Sequence, residues 1–82
     1  MSAETLTILL EETRKVAKGR PVSAETSITR ELGLDSLAVM NFVMVLEDRF
    51  DLSIPVDAIV DVETVADLAQ VIDALQARQT AS

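Results

Sequence analysis

Apolar residues recur every three or four positions in three segments of this 82-residue chain, and this spacing limits the possible folds. Such spacing places apolar side chains on one face of a helix. No segment shows the strict alternation of apolar and polar residues that is typical of a half-buried strand. We therefore predict an all-α fold.

Local stop and start signals divide the chain into four predicted helices. The first spans residues 3 to 18 and is ended by Gly19 and Pro21. The second begins at Asp35, whose carboxylate can cap free helix amides, and runs to about Phe50. A short third helix follows Pro55 over residues 57 to 60, and a capping box at residues 64 to 67 opens the fourth.

The connection over residues 19 to 35 is unusually long for so small a domain. Ile28, Leu32 and Leu34 are expected to pin it to the core, with a short turn at residues 29 to 31. We predict a single domain over residues 1–82 with an ordered core from about residue 3 to residue 77. The small, polar segment 77–82 is expected to fray.

The chain contains neither cysteine nor histidine. Disulfides, a thiolate nucleophile and cysteine metal ligands are therefore excluded, and any thiol chemistry must come from a cofactor. The spacing after Asp35 does not fit an EF-hand, because the alternate positions are Leu37 and Val39. We predict no metal site, and weak cation binding around Asp48 and Asp51 stays open.

Charge is unevenly distributed along the chain. Residues 1–30 hold five basic and four acidic residues, whereas residues 31–82 hold ten acidic and two basic ones. An acidic face repels nucleic acid and anionic lipid and favours basic protein surfaces. No apolar segment approaches the length of a membrane span, so we expect a cytoplasmic monomer that binds neither nucleic acid nor membranes.

The second predicted helix carries two apolar rows, although a small bundle needs only one. Residues 39, 42, 43, 46 and 50 form a sufficient core face. Leu37, Met40 and Met44 form another row about 100° away, on the side that continues from Ser36. This second row either packs inward against the loop or the third helix, or forms an exposed docking surface, for which flexible methionines are well suited.

Ser36 lies where the long loop becomes the second helix. A serine at this position can be a simple helix cap, yet a helix amino terminus also suits a covalently attached phosphate. With no histidine and no Gly-x-Ser-x-Gly motif, the chain lacks the base that a serine hydrolase needs. Ser36 is therefore better interpreted as the substrate of a modifying enzyme than as a catalytic nucleophile.

Three segments together resemble an acyl carrier protein over residues 6 to 75. They are residues 31–37 (Glu-Leu-Gly-Leu-Asp-Ser-Leu), residues 46–50 (Leu-Glu-Asp-Arg-Phe) and residues 54–55 (Ile-Pro). The resemblance implies a four-helix bundle with a short third helix. It also implies a 4'-phosphopantetheine arm, derived from coenzyme A, on Ser36 of the Asp-Ser-Leu motif, with Asp35 and Leu37 beside it. The arm's thiol would hold cargo as a thioester.

The same resemblance implies partners and a surface for them. A phosphopantetheinyl transferase would attach the arm, an acyl- or aminoacyl-loading ligase or transferase would charge it, and synthases or other biosynthetic enzymes with basic patches would dock on the second helix. The chain itself would not be an enzyme. The candidate partner-binding residues are Met40, Asn41, Met44, Glu47 and Asp48, and we expect both acids to be exposed.

The first turns of the second helix differ from those of housekeeping fatty-acid carriers, which usually have further acids there. This chain has Ala38, Val39, Met40 and Asn41 instead, which is more similar to carriers of aromatic polyketide and other specialised pathways. An acyl, polyketide or aminoacyl cargo would use the same arm. The main alternative is a helical interaction module that carries no prosthetic group, and modification of Ser36 distinguishes the two.

Overall fold

The computed structural model describes residues 3–81, and the side chains of residues 3–79. It contains four helices, and within these residues β pairing is limited to an isolated antiparallel bridge between Ser27 and Thr64. The all-α prediction is therefore confirmed. The helices are α1 (Ala3–Ala17), α2 (Ser36–Phe50), α3 (Val56–Ile59) and α4 (Val65–Ala81).

The predicted helix boundaries agree with the structure to within about a residue, except at the end of α4. This helix continues to Ala81, beyond residue 77 where the ordered core was expected to end. The physical reason is that the sequence after Val65 contains no glycine or proline that would stop a helix. Ser82, the last residue of the predicted fraying segment, lies outside the described residues.

The core is built from the apolar faces of α1, α2 and α4. Leu9, Leu46 and Ile72, one from each of these helices, have no solvent exposure. Phe42 and Val43 of the predicted α2 core face are buried beside Leu46, and the two outer positions of that face pack against the cluster. The predicted core face of α2 is therefore confirmed. Within residues 3–81, no helix is both long and apolar enough to span a membrane.

The long loop is fastened to the start of α4. Ile28 N donates to Glu63 O at 2.9 Å, and Val65 N donates to Thr26 O at 3.1 Å. Ile28 and Leu32 are buried and Leu34 is half-buried, as predicted. These bonds hold the segment that leads into α2, so the loop fixes the position at which α2 begins.

The predicted capping box of α4 is present. Thr64 Oγ1 accepts a hydrogen bond from Asp67 N, and Asp67 Oδ2 accepts one from Thr64 N, both at 3.1 Å. Asp67 Oδ2 also accepts from Glu63 N at 3.1 Å. The backbone hydrogen bonds from Thr64 and Glu63 lower the pKa of Asp67, because they favour its charged form.

Two polar contacts inside the bundle were not predicted from the sequence. Glu12 is buried, and its Oε2 pairs with Arg49 Nη1 of α2 at 2.6 Å and with Lys15 Nζ at 3.1 Å. Asp73 of α4 is half-buried and accepts a hydrogen bond from the buried Thr5 at 2.7 Å. These contacts connect α1 to α2 and to α4.

Candidate functional site around Ser36

Asp35 caps the amino terminus of α2, as predicted. Its Oδ1 accepts a hydrogen bond from Ala38 N at 2.8 Å, and its backbone oxygen accepts one from Val39 N at 2.9 Å. Two residues earlier, Gly33 has a φ of 65°, a left-handed conformation that glycine adopts without the steric penalty of a side chain. The turn at Gly33 and the cap at Asp35 together define where the helix starts.

Ser36 is the first residue of α2, and its side chain is exposed. Because Asp35 supplies the cap, the serine hydroxyl is not needed for that purpose. Two other serines differ in this respect: Ser27 Oγ accepts a hydrogen bond from Arg30 N, and Ser23 Oγ lies 3.4 Å from Glu25 Oε2. The Ser36 hydroxyl is therefore exposed at the helix terminus and is not used by the cap.

An apolar groove begins at Ser36 and runs between α2 and α3. We call it the Ser36 groove; its volume is about 490 Å³, and Leu34, Val39 and Ile59 contribute to its walls. A deeper cavity of about 180 Å³ shares Val39 and Ile59 with the groove and reaches the buried Phe42. The groove and the cavity are therefore neighbours with mainly apolar walls, one at the helix terminus and the other at the core.

The second apolar row of α2, formed by Leu37, Met40 and Met44, lies on the surface. Leu37 is 71% exposed, Met40 40% and Met44 62%, so the alternative in which this row packs inward is wrong. Val56 of α3 and Val60, which follows that helix, are also strongly exposed, and both line the groove with Ser36. The sequence did not reveal these two valines as surface residues, because their exposure depends on how α3 is placed. We call these five residues the Ser36 face.

Asn41 and Asp48 are exposed, as expected for residues that could meet a partner. Glu47 differs from this expectation. It is half-buried, and its Oε2 accepts a hydrogen bond from Ile54 N at 2.8 Å. The prediction that both acids of this pair are exposed is therefore wrong for Glu47, because the turn after α2 brings a buried backbone N–H to its carboxylate.

The residues around Ser36 suit a phosphopantetheine arm. The hydroxyl is exposed, and the amino terminus of α2 provides a positive electrostatic environment for a phosphodiester, which the Asp35 cap carboxylate partly offsets. The Ser36 groove offers apolar walls to the rest of the arm. Within the part of the chain that the structure describes, no group of three or more acidic residues is arranged to hold a metal ion.

Comparison with known proteins agrees with this geometry. Residues 4–72 match the family model described as a phosphopantetheine attachment site. A "Probable acyl carrier protein" of Caulobacter vibrioides is 47% identical over 66 residues, which cover 80% of this chain and 77% of that protein. An acyl carrier protein of an Exiguobacterium species is 37% identical over 76 residues, covering 89% of this chain and 96% of that one.

A solved structure gives independent support for the fold. The structure is of a Mycobacterium tuberculosis protein that is described as an acyl carrier protein. It superposes on this chain with a TM-score of 0.76 at 22% identity, and the match covers 85% of this chain and 96% of that one. At this identity the likeness shows the fold alone, which is the predicted four-helix bundle. The family match over residues 4–72 and the 47% identity to the Caulobacter vibrioides protein show that this chain belongs to the acyl carrier proteins, whose prosthetic group is 4'-phosphopantetheine.

Proposed function

We propose that this chain holds acyl-type intermediates as thioesters on a 4'-phosphopantetheine arm attached to Ser36. The observation that carries the proposal is an exposed Ser36 at the capped start of α2, at the mouth of an apolar groove. When bound, the arm supplies the thiol that a chain without cysteine lacks. Asp35 holds the helix terminus in place, and Leu37 provides an apolar contact beside the attachment point.

The Ser36 face is the proposed docking surface for partner enzymes. Exposed methionines adapt their shape to several partners, and Asn41 and Asp48 add polar contacts on the same helix. The proposed partners are a phosphopantetheinyl transferase, a loading ligase or transferase, and synthases with basic patches, which the acidic part of the chain would attract. A monomeric state and a cytoplasmic location belong to the same proposal.

A specialised pathway fits the chain better than housekeeping fatty-acid synthesis. The first turn of α2 contains no acid, so partners that depend on charge at that turn would bind it weakly. An aminoacyl cargo is the second candidate, since the arm would be the same. The apolar walls of the Ser36 groove favour an acyl or polyketide chain over a charged aminoacyl group.

Loading with coenzyme A tests the proposal. The purified chain is incubated with coenzyme A, magnesium and a broad-specificity phosphopantetheinyl transferase, and its intact mass is measured. We expect the wild type and the control Ser53→Ala to gain one phosphopantetheine and Ser36→Ala to gain none. An unmodified wild type would favour the interaction module without a prosthetic group. Modification that persists in Ser36→Ala would place the site at another serine.

A further inference from the structure

The turn after α2 is organised around one residue, Glu47. Its backbone oxygen accepts from Leu52 N at 3.1 Å, and its side-chain Oε2 accepts from Ile54 N at 2.8 Å. Asp51, which precedes both donors, has a φ of 54° and ends α2 in a left-handed conformation. Glu47 therefore holds both the turn and the segment that leads into α3.

Few other contacts hold α3, the helix that follows this turn, in place relative to α2. At four residues, α3 is too short to be stable by itself, and its cap residue Pro55 makes no side-chain capping bond. Its backbone approaches that of α4, but within residues 3–81 it does not closely approach that of α2. The space between α2 and α3 is instead occupied by the Ser36 groove and the deeper cavity.

Ile54 connects this hydrogen bond to the groove. Its side chain is 5% exposed and belongs to the core, so its backbone N–H has little access to water. Without an acceptor at position 47, this N–H would be left unpaired unless the segment shifted. A shift at Ile54 would be transmitted through Pro55 to Ile59 and Val60, which form one wall of the groove.

We propose that Glu47 is a positioning residue for cargo: by fixing Ile54 and the start of α3, it sets the width of the Ser36 groove and thereby how well a bound acyl chain is shielded. The inference rests on the proposed function, since it requires a cargo beside Ser36. It assigns Glu47 a role that differs from docking by charge. Asp48, its exposed neighbour, is the matched control because it has the same charge and makes no such bond.

The choice of variants separates the hydrogen bond from the charge. Glu47→Gln removes the charge but keeps a side-chain oxygen that can accept from Ile54 N. Glu47→Ala removes the acceptor, and Glu47→Asp keeps the charge on a side chain one methylene shorter. Glu47→Asp also keeps the test decisive if Glu47→Ala does not fold. Asp48→Ala removes one charge without touching the turn.

The first measurement is amide hydrogen exchange in the unloaded chain. We expect the Ile54 amide to exchange about tenfold faster or more in Glu47→Ala and Glu47→Asp than in the wild type, as for a lost hydrogen bond to a charged group. The Leu46 amide in the core of α2 should change much less. Glu47→Gln and Asp48→Ala should resemble the wild type at Ile54. Equal exchange at Ile54 in all variants would overturn the proposal.

The second measurement follows the cargo. A broad-specificity phosphopantetheinyl transferase, with magnesium, transfers the hexanoyl-phosphopantetheine arm from hexanoyl-coenzyme A to the Ser36 hydroxyl of each variant. Adenosine 3',5'-bisphosphate is released, and hydroxylamine is then added. Its nitrogen attacks the thioester carbonyl, the C–S bond breaks, and the arm's sulfur takes the proton to become a free thiol. We expect cleavage on the wild type, Glu47→Gln and Asp48→Ala to be slower than on free hexanoyl-pantetheine, and this protection to be lost in Glu47→Ala and Glu47→Asp.

Several results of these two measurements would overturn the proposal for Glu47. No protection in the wild type, or equal protection in all variants, would overturn the role of Glu47 in shielding cargo. Glu47→Gln behaving like Glu47→Ala would show that charge is decisive and would also overturn it. If Ser36 accepts no arm at all, the proposed function fails, whereas amide exchange at Ile54 in the unloaded chain still reports on the hydrogen bond.

Discussion

The two sides of α2 have similar apolar side chains but opposite environments. On the inner side, Leu46 has no exposure and Phe42 only 3%, whereas on the outer side Met44 is 62% exposed. Burial of the inner side stabilises the fold, and a small domain has a low free energy of unfolding. The outer side contributes little to folding. An exposed apolar row beside Ser36 supports the proposal that this side is a docking surface.

The comparison predicts its largest effect on stability at Leu46. Leu46→Ala should lower the free energy of unfolding by roughly 2–5 kcal/mol, because it removes buried contacts and leaves a cavity. Urea or thermal unfolding measures the change. A loss well below 1 kcal/mol would mean that the inner side of α2 is not the packed core of the bundle.

A smaller effect on stability, combined with a selective effect on function, is expected at Met44. Met44→Ala should lower the free energy of unfolding by less than about 1 kcal/mol, since most of the side chain already contacts water. If Met44 contacts partner enzymes, the same variant should lower kcat/KM of loading by the transferase about fivefold or more. Leu46→Ala, assayed where it is still folded, is the control and should load nearly normally.

One result would show that the two apolar rows of α2 do not differ in role. Equal destabilisation by Leu46→Ala and Met44→Ala, with no selective loss of loading for Met44→Ala, would assign both rows to the core. The surroundings of Ser36 would then be the remaining functional surface of α2.

The smallest effect on stability should occur at the start of α4. There the capping groups Thr64 and Asp67 bond each other's backbone, in contrast to the exposed Ser36 at the start of α2. The pKa of Asp67 is lowered from 3.8 in the folded chain, so its charge adds stability above that pH. Asp67→Asn should therefore be less stable than the wild type at pH 7. The difference should shrink as the pH falls below 3.8 through the lowered pKa. Thermal unfolding of both proteins at pH 7 and below pH 3.8 measures the difference in stability. A difference that does not change with pH would contradict this role of Asp67.

Helix positions, the cap at Asp35 and the inner row of α2 could be predicted because they depend on local signals. Apolar spacing, a carboxylate before a helix and a proline after one act within a few residues of the chain. The spacing of Leu37, Met40 and Met44 identified a second row in the same way. It could not show whether that row is covered, because this depends on where α3 lies.

The positions of two acidic residues, Glu47 and Glu12, depend on contacts that no local sequence signal reveals. Glu47 reaches Ile54 N only because Asp51 turns the chain in a left-handed conformation, and no glycine marks that turn in the sequence. Glu12 is buried because Arg49, 37 positions later, neutralises it across the bundle. An acidic residue in a helix is usually exposed, so its burial becomes predictable only once its partner is known.

Peptide mapping of the loaded chain shows whether Ser36 bears the arm. Trypsin cleaves after Arg30 and Arg49, and the peptide 31–49 contains Ser36 as its only residue with a side-chain hydroxyl. Ser23 and Ser27 lie before Arg30, and Ser53 lies after Arg49, so they fall in other peptides. We expect peptide 31–49 alone to gain the mass of one phosphopantetheine. The same gain on a peptide that contains Ser23, Ser27 or Ser53, with peptide 31–49 unmodified, would contradict it.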